Sequence, residues 1–383
     1  MGRPTPLIPS PRTAIPVGDE RRVRMGDQLG RGSMATVYRG AYEGPFNLSR
    51  AVAVKVFDVL ATDDDEGVLT SLTGALRRAA CVRHPGVVRV EDMGYIAPAQ
   101  PYAVVELVEG RTLERFASRT VGKGERIPLD LALFIGTEIA EALAGARLAT
   151  SPEGVRLGLV HGELSSRDVM LSWNGEVKVS DFGVGTAARA ASSVRTVSSL
   201  ARRVRTFAPE VARGQPGDAR SDVFSLGVLL REMLVGPRFP GFVSDAEALA
   251  WARDGVVHQG MFEPQPPVAL QSILTRALER DPTRRYPHAG ALGFELRRVA
   301  LSMGVGDERA FLRAALARVF GDDPEEEVTG ELRVPRPSGV LDRFAKLRGA
   351  EPSAPAPPES GTVAVASAGE ETDEAEDDAD EGS

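Results

Sequence analysis

Residues 161–183 read HGELSSRDVMLSWNGEVKVSDFG, and this stretch decides how the rest of the chain is interpreted. Its end, Asp181-Phe182-Gly183, is typical of a metal-binding turn that serves a nucleotide, because a carboxylate there can bridge Mg²⁺ to phosphate oxygens. Its beginning, HGELSSRD, indicates a catalytic loop in which several residues are unusual. The stretch therefore predicts a nucleotide site whose chemistry has to be examined residue by residue.

Length and composition favour an ordinary soluble protein with two lobes or two domains. The chain has 383 residues, of which 42% are hydrophobic and 26% charged, values usual for globular proteins. The lone cysteine, Cys81, excludes an internal disulfide framework and a multi-cysteine zinc site. No apolar run approaches the roughly 18 residues of a membrane span, and the proline-rich N-terminus lacks the apolar core of a secretory signal. We therefore expect a cytoplasmic protein that does not engage a membrane.

The net charge of −8 belongs to the C-terminal tail, because residues 370–381 carry nine acids and no base. The body is thus nearly neutral and lacks the basic character of a nucleic-acid binder, so no nucleic-acid partner is expected. Two interpretations of the tail remain open. It is either a solubilising disordered extension or an electrostatic latch for the arginine-rich segment 189–205.

Periodicity and composition divide the chain into a small β-rich part and a larger helical part. Residues 21–109 contain β-branched, strand-like runs and one helical stretch with leucines at helical spacing. Residues 110–302 are dominated by amphipathic or wholly apolar helical runs, among them SDVFSLGVLLREMLV, which predicts a buried helix ended by Gly236. Segment 303–322 predicts a further helix with Phe311, Ala315 and Val319 at four-residue intervals. Residues 1–20 and 323–383 are expected to be disordered.

Several motifs stand in one order along the chain. They are GRGSMATV (residues 30–37), VAVK (52–55), VVELVEG (104–110), DFG (181–183) and APE (208–210). In this order and spacing the chain resembles the eukaryotic-like bacterial Ser/Thr protein kinases over roughly residues 21–300. The resemblance implies an α+β, bilobal protein-kinase-like fold, with a small N-lobe of antiparallel sheet plus one helix and a larger, mainly helical C-lobe.

The resemblance also implies a ligand and a set of site residues. ATP with Mg²⁺ or Mn²⁺ is the expected cofactor, and a protein substrate or partner protein is the expected second ligand. Glycines let backbone N–H groups approach phosphates, and a lysine inside an apolar strand is costly unless it has a partner. The implied cofactor-binding residues are Gly30, Gly32, Val37, Ala53, Lys55, Glu106 and Val108. The implied metal ligands are Asp168 and Asp181, and the catalytic candidates are Glu163 and Arg167.

Three further residues have architectural roles in the resemblance. Glu210 is expected to pair with Arg285, and Asp222 is expected to brace the backbone of the catalytic loop. These roles argue for the fold and do not bear on turnover.

Within the catalytic loop the family sequence HRDLKPEN is here HGELSSRD. Glu163 stands for the catalytic aspartate, and a displacement near 1 Å can cost about a hundredfold in rate. Asp168 stands for the metal-binding asparagine, so it keeps an oxygen ligand but adds negative charge near Glu163. Ser165 stands for the lysine that neutralises the transferring phosphoryl group. Arg167 either takes over that task, as in the similar tyrosine-kinase loop DLAARN, or is simply solvated.

Three other positions depart from the family. Gly162 replaces the arginine that binds an activation-loop phosphate. The helical glutamate that should hold Lys55 falls at Ala75, and no acid occurs between Gly67 and Val90, so Lys55 is expected to turn to Asp181. Arg203 occupies a threonine position and is a candidate ion-pair partner for Glu163.

Three functions stay open at this point. The first is a pseudokinase that binds ATP with impaired or absent phosphotransfer. The second is an active Ser/Thr kinase with Glu163 as base and Arg167 as charge neutraliser. The third is a scaffold that binds no nucleotide.

Overall fold

A computed structural model of the protein describes residues 14–16, 22–32, 34–44, 48–58, 65–96, 100–190, 204–239, 243–257, 266–304 and 308–321. The N-terminal part is a six-stranded antiparallel sheet with the spatial order β1-β2-β3-β4-β6-β5. Its strands are β1 (Ala14–Pro16), β2 (Arg22–Arg31), β3 (Ala35–Glu43), β4 (Ser49–Phe57), β5 (Val90–Tyr95) and β6 (Pro101–Glu106).

Strand alternation gives this sheet two apolar faces. Val52, Val54 and Val56 of β4 are buried in one cluster. Ala53 and Phe57, on the opposite face, pack with leucines of helix α1 (Asp65–Ala79). Lys55 belongs to this second face, so its ammonium group lies on the side of the sheet that carries α1.

The leader differs in part from the expectation of disorder. Residues Ala14–Pro16 pair with β2 in antiparallel register, and Ile15 lies opposite Val23. The β-branched Ile15 suits a strand, and a proline is tolerated because β1 is at the edge of the sheet.

The C-terminal part is mainly helical and contains a small sheet with the order β7-β8-β9. Its strands are β7 (Gly110–Thr112), β8 (Val169–Ser172) and β9 (Val177–Val179). Its helices are α2 (Leu113–Gly122), α3 (Leu129–Leu148), α4 (Val184–Ala190), α5 (Pro209–Ala212), α6 (Ala219–Val235), α7 (Asp245–Arg253), α8 (Val268–Ala277), α9 (Ala289–Ser302) and α10 (Glu308–Phe320), with a 3₁₀ turn at Pro282–Arg284.

Two helices form the centre of this part. Helices α3 and α6 bury most of their residues, as their apolar sequences predict. They share one hydrophobic core, and α6 also contributes Phe224 and Val228 to a second cluster. Helix α6 begins at the N-cap Asp218, and its chain leaves through Gly236 at φ 106°, a conformation that favours glycine. The α+β, bilobal architecture that the resemblance implies is thereby confirmed.

The final helix, α10, buries a wider face than the predicted one. Ala315 and Val319 are buried as expected, but Phe311 is 38% exposed. Leu312, Leu316 and Phe320, the stripe one residue further along the chain, are buried as well, and the helix packs on α2 and α3. Among the described residues, no helix is both long and apolar enough to cross a membrane.

Candidate nucleotide site

The strands of the N-terminal sheet place three predicted site residues side by side. Gly30 of β2 lies opposite Val37 of β3, and Val37 lies opposite Lys55 of β4. Gly32 closes the intervening loop by donating its N–H to the carbonyl of Ala35 at 2.8 Å. The glycine loop and the lysine therefore belong to one continuous row across the sheet.

The apolar candidates lie in a single cluster beside this row. Buried Ala53 and Val105 belong to it, and partly buried Val37, Leu107 and Val108 pack against them. An apolar surface with a few polar groups at its edge is the usual character of a small-molecule site. Segment 104–110, VVELVEG, is called the hinge below. The predicted cofactor residues Val37 and Ala53 of the strands and Val108 of the hinge thus line the same region.

The ammonium group of Lys55 contacts both carboxylate oxygens of Asp181. The Nζ–Oδ1 distance is 2.6 Å and the Nζ–Oδ2 distance is 2.7 Å. Asp181 has a φ of 64°, a left-handed conformation that Asp tolerates better than most side chains. Ala75 is buried, and its Cβ is the heavy atom nearest to where a Cβ on Gly183 would be, at 3.7 Å. An alanine thus faces this turn where the family has its glutamate.

The second predicted metal ligand, Asp168, is buried next to this pair. Its Oδ2 accepts hydrogen bonds from the backbone N–H and the hydroxyl of Ser165 at 2.9 and 2.7 Å. The hydroxyl of Ser180 donates to the Asp168 carbonyl and lies 3.3 Å from Asp181 Oδ2. Two carboxylates plus phosphate oxygens are a usual ligand set for Mg²⁺, so these residues fit that ion. Within the described ranges, no cluster of three or more His, Cys, Asp and Glu residues could hold a metal by itself.

Asp222 of α6 accepts hydrogen bonds from the backbone of the catalytic loop, as predicted. Its Oδ2 accepts the N–H of His161 and its Oδ1 accepts the N–H of Gly162, each at 2.8 Å. Burial raises the pKa of Asp222, whereas the His161 ring and the two N–H groups act to lower it. The His161 ring bonds the Ser180 carbonyl at 2.9 Å. The brace therefore connects α6 to the backbone that carries Glu163, which is 1% exposed.

Arg167 of the catalytic loop pairs with an acid of helix α2. Its Nε donates to Glu114 Oε1 of α2 at 2.8 Å, and both side chains are partly exposed. Glu114 also donates its backbone N–H to the carbonyl of Ser166. The guanidinium group is therefore used to join the catalytic loop to α2.

Gly162 has a φ of 80°, and α4 closes the space around it. A Cβ at this position would overlap the hydroxyl oxygen of Thr186 on α4. The arginine found here in the family would therefore require the Thr186 hydroxyl to move and would adopt a backbone conformation that L side chains rarely have.

Glu210 and Arg285 form the expected pair. The Arg285 guanidinium donates to Glu210 Oε1 at 2.7 Å and to Oε2 at 2.9 Å, and the Ser221 hydroxyl donates to Oε1 at 2.7 Å. The Arg285 side chain is completely buried. This bidentate contact anchors α5 to the segment after α8.

One ionic contact was not predicted. Lys178 of β9 donates to Glu106 Oε1 at 2.8 Å and to the carbonyl of Pro85 at 2.9 Å, with a side chain only 10% exposed. The signal was present, because a lysine inside the apolar run VKV needs a buried partner for the same reason as Lys55. Glu106, proposed from the sequence as a hinge residue, thereby connects β6 to β9.

Two predictions lie outside the described residues. They concern Arg203 as a partner of Glu163 and the acidic tail as a latch for segment 189–205.

Comparison with known proteins finds similarity to protein kinases along most of the chain. A model of the protein tyrosine and serine/threonine kinase family matches residues 23–291. A probable serine/threonine-protein kinase of Streptomyces coelicolor is 33% identical over 82% of this chain and 45% of its own length. The probable serine/threonine-protein kinase PknB of Lactococcus lactis is 31% identical over 69% and 40%. The tyrosine-protein kinase MasK of Myxococcus xanthus is 29% identical over 88% and 51%. The chain thus spans about half the length, or less, of these relatives.

Proposed function

We propose that this chain, which belongs to the protein tyrosine and serine/threonine kinase family and is related to bacterial Ser/Thr kinases, binds ATP and signals with impaired or absent phosphotransfer. Its outputs are its conformation and its contacts with a partner protein. The observation that carries the nucleotide half of this proposal is the contact of Lys55 with Asp181 beside the apolar cluster. The ammonium group of Lys55, on a side chain that is 15% exposed, could contact phosphate oxygens there.

ATP would enter between the glycine loop and the catalytic loop. The cluster around Val37, Ala53 and Val108 would receive the base, and the hinge backbone near Glu106 and Val108 would hydrogen-bond it. Lys55 would hold the α- and β-phosphates. Asp168 and Asp181 would hold Mg²⁺, which neutralises phosphate charge when bound.

The other half of the proposal, weak transfer, rests on what surrounds Glu163. Arg167, the candidate charge neutraliser, is bonded to Glu114 at 2.8 Å. Ser165, in the lysine position, is bonded to Asp168. Phosphoryl transfer depends mostly on positioning and on charge stabilisation, and these contacts leave neither side chain directed to that task.

The active-kinase alternative keeps one supporting observation. The loop that carries Glu163 is braced by Asp222 at two backbone positions, so the backbone next to Glu163 is held in place. For Glu163 and Arg167 to act together, however, the contact between Arg167 and Glu114 would have to break. We therefore favour the weakened enzyme, and a nucleotide-free scaffold is an outcome that the following experiment decides.

Replacing Lys55 by methionine is expected to remove nucleotide binding. In the wild-type protein, ATP with Mg²⁺ at about a hundred times Kd should stabilise the fold by about 2.7 kcal/mol, and Lys55→Met should lose most of that gain. The measurement is the melting temperature with and without ATP·Mg²⁺. Arg50→Met, on the same strand with a half-exposed side chain bonded to Glu91, is the control and should keep the full shift. A wild-type protein without any shift, or an equal shift in Lys55→Met, would refute the nucleotide site.

A further inference from the structure

We propose that helix α10, which follows the family-matched residues 23–291, is a positioning element for the nucleotide hinge. This inference rests on the proposed ATP site. The helix spans Glu308–Phe320 and buries one face completely in the core of the C-terminal part. It lies beyond the residues that the family model matches.

The C-terminal end of α10 contacts the turn between β8 and β9 through aromatic side chains. The rings of Phe320 and Trp173 meet edge to face, with centres 5.9 Å apart and planes at 78°. The guanidinium of Arg111, on β7, lies 5.1 Å from the Trp173 ring centre and 5.6 Å from that of Phe320. Such aromatic and cation–π contacts fix geometry as well as adding stability.

The N-terminal end of α10 contacts the same turn through its backbone. Gly175 has a φ of 80°, and a Cβ there would overlap the carbonyl oxygen of Arg309. Only a glycine thus allows the helix to approach so closely. With Phe320 at the other end of the helix, α10 touches the turn at two points about three helical turns apart.

The turn is connected in its own right to the hinge. Trp173 donates its backbone N–H to the carbonyl of Glu109 at 2.9 Å. The next residue, Gly110, pairs with Ser172 of β8, and a Cβ on Gly110 would overlap the Leu171 carbonyl oxygen. The residues that follow Val108 in the chain are therefore held by the turn.

These contacts form one continuous path from Phe320 through Trp173 to Glu109, which is adjacent to Val108. Helix α10 fixes the position of the β8–β9 turn, and this turn fixes the backbone of the hinge. A nucleotide that hydrogen-bonds the hinge therefore binds more tightly. Phe320 is accordingly a positioning residue, since it reaches the site only through other residues. Two contacts from Lys123 and Glu125, after α2, to Arg318 add to the docking of the helix.

The test uses the full chain with Phe320→Ala. Two readouts are followed: hydrogen exchange of the amide of Trp173 and its neighbours in residues 171–175, and the Kd for ATP·Mg²⁺. We expect faster exchange at Trp173, because its bond to Glu109 opens more often, and a Kd weaker by about fivefold or more, the lower end of usual coupling between sites. Phe320→Tyr, which keeps the ring, should restore both.

Two controls separate positioning from loss of stability. Phe311→Ala removes the same ring from the exposed side of α10, and Leu296→Ala opens the core at a fully buried residue of α9. Both should leave exchange at Trp173 and the Kd unchanged, although Leu296→Ala also lowers the melting temperature.

Each other outcome overturns a stated part of the proposal. Unchanged exchange in Phe320→Ala, or an equal increase in Leu296→Ala, would refute the positioning role. Faster exchange with an unchanged Kd would refute the coupling to the nucleotide. A wild-type protein that does not bind ATP would refute the proposed function itself, and the exchange data alone would then decide whether α10 orders the hinge.

Discussion

Replacing Arg285 by alanine is expected to lower the free energy of unfolding by about 3–5 kcal/mol, the usual cost of breaking a buried ion pair from one side. The substitution leaves Glu210 without its bidentate guanidinium partner, while the Ser221 hydroxyl remains bonded to that carboxylate. It also removes the guanidinium from the Phe224 ring, whose centre is 4.8 Å away. The measurement is urea unfolding followed by circular dichroism.

The adjacent arginine provides the matched control. Arg284 has a side chain that is 70% exposed and lies 4.0 Å from Glu279, so Arg284→Ala should change stability by no more than about 0.5 kcal/mol. Similar losses for Arg284→Ala and Arg285→Ala would contradict the assigned architecture.

The same pair predicts a dependence on pH. Burial raises the pKa of Glu210, but the bonds from Arg285 and Ser221 outweigh this effect and hold the pKa below its ordinary value of 4.5. A lowered pKa means that the pair stabilises the fold fully above pH 4.5 and loses its contribution as pH falls through the folded-state pKa. The stability difference between wild type and Arg285→Ala should therefore shrink in acid.

Asp222→Asn is expected to cost about 1–3 kcal/mol, the penalty of one buried donor left without an acceptor. Asn offers one oxygen, whereas Asp222 accepts the N–H groups of His161 and Gly162 with different oxygens. Because the catalytic loop carries Asp168, the Kd for ATP·Mg²⁺ should weaken as well. Thermal unfolding and titration calorimetry measure the two effects.

The control is the same substitution four residues earlier in the chain. Asp218 is the N-cap of α6, with a half-exposed side chain that accepts the N–H of Arg220. Asn caps helices about as well as Asp, so Asp218→Asn should be close to neutral. If Asp222→Asn were equally neutral, the brace would not hold the loop.

The architecture was predictable because local signals and motif order agree. The leucines at helical spacing in α1, the glycine after α6 and the β-branched runs of the strands are each signals that a single element carries. The Glu210 and Arg285 pair followed from the resemblance. The strand at Ala14–Pro16 was missed because a proline-rich segment gives no strand periodicity, and only pairing with β2 reveals it.

The sequence predicted which residues belong to the site better than it predicted which side chains they contact. Lys55 was expected to turn to Asp181 once Ala75 was recognised in the glutamate position. The partner of Arg167 could not be foreseen, because Glu114 is 53 residues away in the chain and only the docking of α2 brings them together. Phe311 of α10 was misjudged for a similar reason. The two apolar stripes of the helix are adjacent in sequence, and packing on α2 and α3 buries residues of both stripes but leaves Phe311 exposed.

The most direct test of the central claim is a single-turnover assay of the full-length wild-type chain with γ-labelled ATP and Mg²⁺ or Mn²⁺. Transfer to the chain itself and to a generic basic protein is measured alongside ATP binding. The account predicts that ATP binds and that label transfer is either slow or no greater than the background of Lys55→Met. Rapid transfer by the wild-type chain that is lost in Glu163→Ala would contradict it.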